Sequence, residues 1–268
     1  MITSRTGKVF FVGAGPGDPD LITVRGLRAL QAADVVLYDA LIDPHQVYGL
    51  TSELIYVGKR CGRHHKTQEE INQLIVEQAE AGKQVVRLKG GDPGVLGRVG
   101  EEALELAARG IPFEIVPGVS SALAAPAYAG IPLTMRGVAD SFALATAHRR
   151  KDQSEYSIPA YNERTTLLLL MPVRTASAWR EELLARGYPP TLPIAFVSAA
   201  TTNEQSVLET TVDCVARDLA TVKLETPAMA VVGRVVALRK DLKWFPERQL
   251  NRLEQLDQAA PPLQKEAV

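Results

Sequence analysis

Short apolar runs alternate with longer amphipathic segments along the first half of the chain. Apolar runs bounded by Gly, Pro, Asp or Asn predict strands over residues 8–12, 34–38, 53–57, 85–88 and 113–116. Segments with apolar positions every three or four residues predict helices over residues 19–32, 67–81, 101–109 and 122–129. A strand that alternates with a helix in this way is typical of a parallel sheet covered by helices.

The second half of the chain predicts another α/β unit. Strands are expected over residues 142–147, 165–171, 193–197 and 228–232, and helices over 175–186 and 212–219. The segment 149–162 is polar and aperiodic, which predicts a mobile surface loop between domains or over a cleft. We therefore predict an N-terminal α/β domain over 1–137, a C-terminal α/β domain over 138–245 and a partly disordered tail over 246–268, rich in Pro, Gln and Glu.

Composition narrows the class of protein. The chain has 268 residues, of which 46% are hydrophobic and 23% charged, as expected of a soluble globular protein with two domains of ordinary size. The net charge of −1 predicts no general attraction to nucleic acid or to an anionic membrane, so an anionic ligand would need a local cluster of Arg and Lys. With only Cys61 and Cys214, no apolar run of membrane-spanning length and no signal-like N-terminus, we expect a reduced, cytoplasmic enzyme.

A glycine-rich turn follows the predicted strand at residues 85–88. Four glycines fall within residues 90–97, together with Asp92 and Pro93, so the strand must end there. Glycine lets a backbone approach a ligand closely, which predicts the floor of a binding site at this strand end. Arg98, Glu101 and Glu102 then begin the next helix.

A second glycine-rich turn, GAGPGDPD at residues 13–20, tests whether the site holds a dinucleotide. It lies between a strand and a helix, and Asp39 ends the next strand about 20 residues on, as in a dinucleotide-binding fold. The G-x-G-x-x-G spacing fails, however, because Asp18 stands where the last glycine belongs. An acidic residue there also occupies the helix N-terminus that a pyrophosphate would use. The alternative is a tight turn with Asp18 as N-cap.

Seven motifs together resemble a known family. In order, they are GAGPGDPDLIT, YDALI, VGKRCG, RLKGGDPGVLGRVGEE, IVPGVSSA, AGIPLTMRG and TPAMAVVGRVV. From about Gly7 to about Trp244 the chain is similar to the tetrapyrrole (corrin/porphyrin) methylases, most of all to those that methylate uroporphyrinogen III. The resemblance implies a homodimer of two α/β domains with S-adenosyl-methionine (SAM) in the cleft between them. It also implies that SAM becomes S-adenosyl-homocysteine (SAH) and that precorrin-2, made through precorrin-1, feeds sirohaem, haem d1 or cobalamin synthesis.

The resemblance also implies roles for individual residues. It places SAM against Pro16, Gly90, Gly91, Asp92, Val95, Ser120, Ser121, Met171, Ala200, Pro227, Ala228 and Met229. It makes Asp39 a proton acceptor and Lys59 a proton donor, with Arg98 and Glu101 at the substrate. Because the substrate is rich in carboxylates, Arg60, Arg98 and Arg136 are candidates to bind it. An electrostatic role suits Arg98 at least as well as a role as a base, because the pKa of arginine is about 12 or higher.

Five positions depart from the family pattern, and we expect them to cluster at the active site. The family has Phe at two of them, Gly at two and His at one, where this chain has Gly94, Leu96, Val99, Ala147 and Met135. Three outcomes stay open: the usual reaction in a reshaped pocket, methylation of a related tetrapyrrole, or a SAM-binding regulator without efficient turnover. A nicotinamide-binding domain is a further alternative that rests on residues 13–39 alone. His64, His65 and His148 lack the spacing of metal ligands, so no metal is expected.

Overall fold

A computed structural model describes residues 6–42, 47, 49–58, 66–148 and 156–250. Its first sheet has five parallel strands: β1 (Val9–Gly13), β2 (Val35–Tyr38), β3 (Glu53–Tyr56), β4 (Val85–Lys89) and β5 (Phe113–Val116). They are arranged in the order β3-β2-β4-β1-β5, which confirms the predicted parallel sheet. The central strands β1 and β4 are buried on both faces, as expected of parallel strands between helices.

Four helices belong to this half of the chain: α1 (Val24–Gln31), α2 (Gln68–Glu80), α3 (Val99–Ala108) and α4 (Ser121–Tyr128). A capping box between Thr67 and Glu70 begins α2. Helices α2 and α3 pack on one face of the sheet, and α1 packs on the other. The single helix predicted over 19–32 is wrong, because the segment forms a 3₁₀ turn (Pro19–Leu21) and Thr23 then caps a separate helix.

The second sheet also has five strands: β6 (Ser141–Thr146), β7 (Thr165–Leu170), β8 (Pro193–Ser198), β9 (Ser206–Thr211) and β10 (Ala228–Val232). Their order is β6-β7-β10-β8-β9; only β6 and β7 pair in parallel, and the other pairs are antiparallel. Helices α5 (Ala176–Ala185), α6 (Val215–Thr221) and α7 (Arg239–Leu242) belong to this half of the chain. We did not predict β9, because this edge strand is mostly polar and only half-buried.

The two halves share a hydrophobic core. Helices α5 and α6 cover one face of the second sheet, around the fully buried Trp179 and Phe196. The other face packs against the small residues Ala122 and Ala125 of α4, which belongs to the predicted N-terminal domain. The predicted class of two α/β units is therefore confirmed, while the boundary at residue 137 stays a prediction.

Two segments expected to be irregular contain buried residues. In the predicted mobile loop over 149–162, Tyr156 and Ile158 are buried in the core of the second sheet, so the prediction is wrong for this part. Residues 149–155 lie outside the described residues. In the predicted tail, the side chain of Glu247 is 6% exposed and pairs with Arg239, Leu250 packs against the core of the second sheet, and residues 251–268 lie outside the described part. No helix in the described ranges is long and apolar enough to cross a membrane.

Candidate active site

A cleft of about 520 Å³ lies between the two sheets. On one side it is lined by loops that follow β1 and β4, the carboxyl ends of central parallel strands, where open α/β sheets bind ligands. On the other side it is lined by residues after β7 and β8 and by the start of β10. Because β10 runs antiparallel to both, its amino end meets their carboxyl ends at one edge of the sheet.

Three loops of the first half pack against each other through glycine backbones. Gly15 and Gly91 exchange two backbone hydrogen bonds, with N···O distances of 3.3 and 2.7 Å. A Cβ atom on Gly13 would lie 2.5 Å from the amide nitrogen of Gly118 and 2.6 Å from the Gly91 oxygen. Glycine at position 13 therefore permits close packing of the loops. Asp18 accepts a hydrogen bond from the Asp20 amide as an N-cap, so the tight-turn alternative is confirmed.

Backbone strain is concentrated at this cleft. Five non-glycine residues of the described chain have positive φ angles: Leu96, Arg98, Met171, Ala199 and Thr201. The first three line the cleft, and the other two flank Ala200, which also lines it. Such conformations cost about 1–3 kcal/mol each and collect at functional sites, where the surrounding structure maintains them. This strain could not be predicted from the residue types, because none of them favours a positive φ.

Most of the residues predicted to contact the cofactor meet in this cleft. Its lining includes Pro16, Gly90, Gly91, Val95, Ser121, Met171, Ala200, Pro227, Ala228 and Met229. These positions are spread over more than two hundred residues of sequence, yet they face one cavity. The volume is of the size typical of small-molecule sites, and most of the walls are apolar.

Asp92 and Ser120 do not belong to the lining, and the structure shows what their side chains do. The Asp92 carboxylate accepts hydrogen bonds from the amides of Gly94 at 2.8 Å and Gly118 at 3.1 Å, which ties two loops of the site together. Ser120 is the N-cap of α4 and accepts a hydrogen bond from the Ala122 amide at 3.2 Å. Direct contact of either residue with the cofactor stays a prediction.

At the cleft floor lies a largely buried cluster of charges that the sequence analysis did not identify. Lys89 donates to both oxygens of Glu102, at 3.0 and 2.8 Å, and Gln68 donates to the same carboxylate at 3.1 Å. Arg87 lies 3.5 Å from Glu102 and donates to the Asp39 carboxylate at 3.1 Å. The side chains of Arg87, Lys89 and Glu102 are all at most 5% exposed. The cluster balances two cations with two carboxylates, as buried charges require.

Burial affects the lysine of this cluster most clearly. Loss of water contact, followed by the nearby positive charge of Arg87, lowers the pKa of Lys89 below its ordinary value, although Glu102 opposes the change. One signal in the sequence could have identified the cluster. Arg87 and Lys89 are two residues apart in a buried strand, so they face the same side of the sheet as Val85, toward α3 and Glu102.

Asp39 and Arg98 are the predicted catalytic residues that line the cleft. Asp39 is fixed at both oxygens, by Arg87 and by the Leu41 amide at 3.1 Å. Arg98 forms a two-fold ion pair with Glu101, at 2.9 and 2.5 Å, and both side chains are 54% exposed. The hydrogen bond to Glu101 raises the pKa of Arg98 above its ordinary value, so Arg98 carries a positive charge and is unsuited to act as a base.

Other predicted residues lie elsewhere. Glu101 is outside the cleft lining, and Arg136 is exposed in a turn that follows Met135. Lys59, Arg60, His64 and His65 lie outside the described residues. His148 is exposed, and within the described chain no three His, Cys, Asp or Glu side chains are grouped closely enough to hold a metal ion.

The five departures from the family pattern do not cluster as expected. Leu96 lines the cleft, and the Gly94 amide beside it donates a hydrogen bond to the Asp92 carboxylate. Val99 is buried in the core of the first sheet and Ala147 in the core of the second, so the prediction is wrong for these two. Met135 is exposed outside the lining. Only Leu96 therefore changes the walls of the cavity directly.

Comparisons of the sequence and of the fold identify the family. The family model of the Tetrapyrrole (Corrin/Porphyrin) Methylases matches residues 8–216, and the chain belongs to this family. Two crystal structures of uroporphyrin III C-methyl transferase from Thermus thermophilus are similar to it, each at 40% identity and a TM-score of 0.73, over 87% of this chain and 100% of that one. One of the two is a complex with S-adenyl homocysteine. A cobalt precorrin-4 methyltransferase is similar at 30% identity and a TM-score of 0.73, over 85% of this chain and 95% of its own.

Curated relatives give a consistent result. A siroheme synthase of Acinetobacter baylyi is 44% identical over 247 residues, which cover 91% of this chain and 54% of that protein. Siroheme synthase 1 of Halorhodospira halophila is 47% identical over 242 residues, or 89% of this chain and 50% of its own. The chain therefore spans about half the length of the curated relatives it matches.

Proposed function

We propose that this protein transfers methyl groups from SAM to pyrrole carbons of uroporphyrinogen III and gives precorrin-2 through precorrin-1. The observation that carries the proposal is the meeting of ten predicted cofactor positions, from Pro16 to Met229, in one cleft. The likeness to the Thermus thermophilus enzyme, one structure of which is complexed with S-adenyl homocysteine, supports the same reading. The product enters sirohaem, haem d1 or cobalamin synthesis.

The residues of the cleft fit the cofactor. Val95 and Met171 offer apolar surface to the flat adenine, while Ser121 and the glycine backbones offer polar contacts. When bound, SAM supplies an electrophilic methyl group on a sulfonium. The cleft would hold the macrocycle beside the cofactor, and orienting the reacting pyrrole carbon toward the methyl group would be its main catalytic task.

Charged residues of the first half handle the substrate and its proton. Asp39 accepts the proton that the macrocycle loses after methylation, and Arg87 together with the Leu41 amide holds its carboxylate in place. Arg98, paired with Glu101, presents positive charge to the substrate carboxylates. Lys59 acts as proton donor, and Arg60 and Arg136 complete the binding of the carboxylates.

The proposal includes assembly as a cytoplasmic homodimer, with a small tetrapyrrole as ligand and neither nucleic acid nor membrane as partner. Phe142 and Leu144 are 46% and 37% exposed on β6, an edge strand of the second sheet, and a second copy would cover them. Light scattering after size-exclusion chromatography tests this. A dimer mass for the wild type and a monomer mass for Phe142→Asp are expected, and a monomeric wild type would contradict the assembly.

One experiment tests the reaction. Purified protein with SAM and enzymatically generated uroporphyrinogen III should release SAH and a dimethylated tetrapyrrole, detected by mass spectrometry. If the protein binds SAH but forms no methylated product, the alternative of a SAM-binding regulator is favoured. The residue that would then explain the lost turnover is Leu96, the departure from the family pattern that lines the cavity. If a related tetrapyrrole is methylated faster than uroporphyrinogen III, the alternative of a changed substrate is supported.

A further inference from the structure

The loop between β8 and β9 brings one wall of the cleft into contact with the first half of the chain. Ala200 lines the cleft, and its neighbours Ala199 and Thr201 have φ angles of 44° and 71°. Thr201 is 3% exposed. A positive φ is a genuine outlier for a β-branched residue, so the surrounding contacts must hold this loop in place.

Two side chains make those contacts. Gln205 is fully buried, and its Oε1 accepts a hydrogen bond from the Thr201 amide at 2.9 Å while its Nε2 donates to the carbonyl of Tyr128 at 3.2 Å. Tyr128 is the last residue of α4. The Thr201 hydroxyl oxygen accepts from the Asp18 amide at 2.9 Å. We call Thr201 and Gln205, with these three hydrogen bonds, the latch.

The latch connects the two walls of the cavity over a short distance. Asp18 follows the loop that carries Pro16, and Thr201 follows Ala200, so a pair of cleft-lining residues flanks the Asp18–Thr201 hydrogen bond. The loops are already in close contact, because a Cβ atom on Gly17 would lie 2.9 Å from the Ala200 oxygen. A small displacement of the 199–202 loop would therefore change the width of the site between Pro16 and Ala200.

We propose that Thr201 and Gln205 are positioning residues for the cofactor: without entering the cleft, they fix the separation of Pro16 and Ala200 and so set the affinity for SAM. This inference rests on the proposed function, because it assumes that the cleft binds SAM. A positioning role can be distinguished from a purely structural role by its effect on cofactor binding. The latch should control cofactor affinity more than the turnover rate once the cofactor is bound, since Asp39 and Arg98 lie on other loops.

The test uses SAH as the probe, in isothermal titration calorimetry on the whole protein. Thr201→Val and Gln205→Met remove the latch hydrogen bonds at nearly constant volume, and we expect each to raise the Kd for SAH at least about tenfold. Thr201→Ser keeps the hydroxyl, so its Kd should stay within about twofold of wild type. At saturating SAM, kcat on uroporphyrinogen III should stay within about threefold, with the change confined to the KM for SAM.

Thr166→Val is the matched control. Thr166 is 1% exposed and donates its hydroxyl to the Leu133 carbonyl at 2.8 Å, another buried side-chain hydrogen bond, but neither residue lines the cleft. This variant should lower the Tm and leave the Kd for SAH unchanged. If the latch variants behave like this control, with a lower Tm and an unchanged Kd for SAH, then Thr201 and Gln205 have only a structural role and the inference is wrong.

A further variant covers the case in which the latch variants fail to fold. Gly17→Ala keeps both latch side chains, but its Cβ would lie 2.9 Å from the Ala200 oxygen at a φ angle of 155°, so the two loops must shift apart and the Kd for SAH should again rise. An unchanged Kd in folded Gly17→Ala would overturn the inference. If the wild type binds SAH and every variant binds it equally well, the inference about the latch is wrong but the proposed function stands. If the wild type binds no SAH, both the proposed function and the inference are wrong.

Discussion

The two walls of the cleft are built from different chemistry. The wall from the first half carries Asp39, Arg87, Lys89 and Arg98. The wall from the second half consists of Leu170, Met171, Val197, Ala200 and the segment from Pro227 to Met229, with no ionisable side chain among them. The charged wall can handle protons and carboxylates, whereas the apolar wall provides shape and excludes water.

The same contrast continues into the cores behind the walls. Behind the charged wall, the Glu102 carboxylate is buried against Arg87 and Lys89. Behind the apolar wall, Trp179 is fully buried and donates its indole N–H to the Pro172 carbonyl at 2.8 Å. A buried ion cluster adds little net stability, but breaking one partner is costly, since it leaves an uncompensated charge. The first half should therefore be the more sensitive to single charge-removing substitutions.

Removing the central carboxylate tests this sensitivity and has the largest expected effect. Glu102→Gln leaves Lys89 and Arg87 without their shared counter-charge, so we expect the free energy of unfolding to fall by about 3–5 kcal/mol. Denaturant unfolding followed by circular dichroism measures it. The control is Glu105→Gln on the same helix, whose exposed pair with Arg109 is worth less than about 1 kcal/mol.

A double substitution shows whether charge or packing is responsible. Replacing Lys89 with Met in the Glu102→Gln background removes the uncompensated cation, so part of the lost stability should return. If the double variant is as unstable as the sum of the single ones, the cluster does not act as a charge-balanced unit. The contrast between the two cores would then have a different cause.

Arg98 tests the charged wall at the level of catalysis. Arg98→Ala should leave the Kd for SAH nearly unchanged and reduce turnover on uroporphyrinogen III about a hundredfold or more, because a lost charged contact to the substrate costs roughly 3 kcal/mol. Arg98→Lys should restore only part of the rate, since it replaces the charge without the planar fork. Steady-state kinetics and calorimetry provide the two measurements.

The structure also supplies the competing explanation for Arg98. Its ion pair with Glu101 joins two side chains that are each 54% exposed, and such a pair is worth less than about 1 kcal/mol. If that pair is its only role, Arg98→Ala will stay within a few-fold of wild type, as Arg109→Ala at the other end of α3 should. Turnover near the wild-type value would remove Arg98 from the catalytic residues.

The two walls also differ in how far the sequence predicted them. The glycine-rich loops and the segment from Pro227 to Met229 were predicted because their motifs are local and ordered along the chain. Met171 and Ala200 followed only from the family resemblance, and Leu170 and Val197 were not predicted. The buried cluster was missed because Arg87 and Lys89 were read as part of an apolar strand, and their partner Glu102 lies on a helix that only the fold brings near. The 3₁₀ turn at Pro19–Leu21 and the edge strand β9 were missed because short or polar elements lack a clear period.

Asp92 connects the loop that follows β4 with the loop that follows β5, so its replacement tests how much this connection contributes to cofactor binding. Asp92→Ala removes the hydrogen bonds accepted from Gly94 and Gly118, and we expect SAH binding to weaken by roughly 1.5–3 kcal/mol. Asp92→Asn keeps one carbonyl oxygen and should lose less. An unchanged dissociation constant in folded Asp92→Ala, measured by calorimetry, would remove Asp92 from the site.

The smallest expected effect is on the pH dependence of stability in the second half of the chain, whose core contains the buried hydroxyl of Tyr188. Burial raises the pKa of Tyr188 from 10.0 to about 12, and its ring packs against Tyr161 at 5.2 Å. Because the folded state holds this proton more tightly, its contribution is complete below pH 10 and is lost as the pH rises from about 10 to 12.

That difference in pKa corresponds to at most roughly 2.7 kcal/mol, and relaxation around the ionised ring should reduce it to about 1 kcal/mol. Phenylalanine at position 188 cannot ionise. Between pH 10 and 12, the free energy of unfolding of Tyr188→Phe should therefore fall by about 1 kcal/mol less than that of the wild type. Tyr56→Phe in the first sheet serves as the control. Equal pH dependence in wild type and Tyr188→Phe would show that the alkaline sensitivity comes from other groups. Lys89 of the charged wall cannot be one of them. Its lowered pKa makes the folded state bind fewer protons than the unfolded one, so its contribution to stability rises with pH instead.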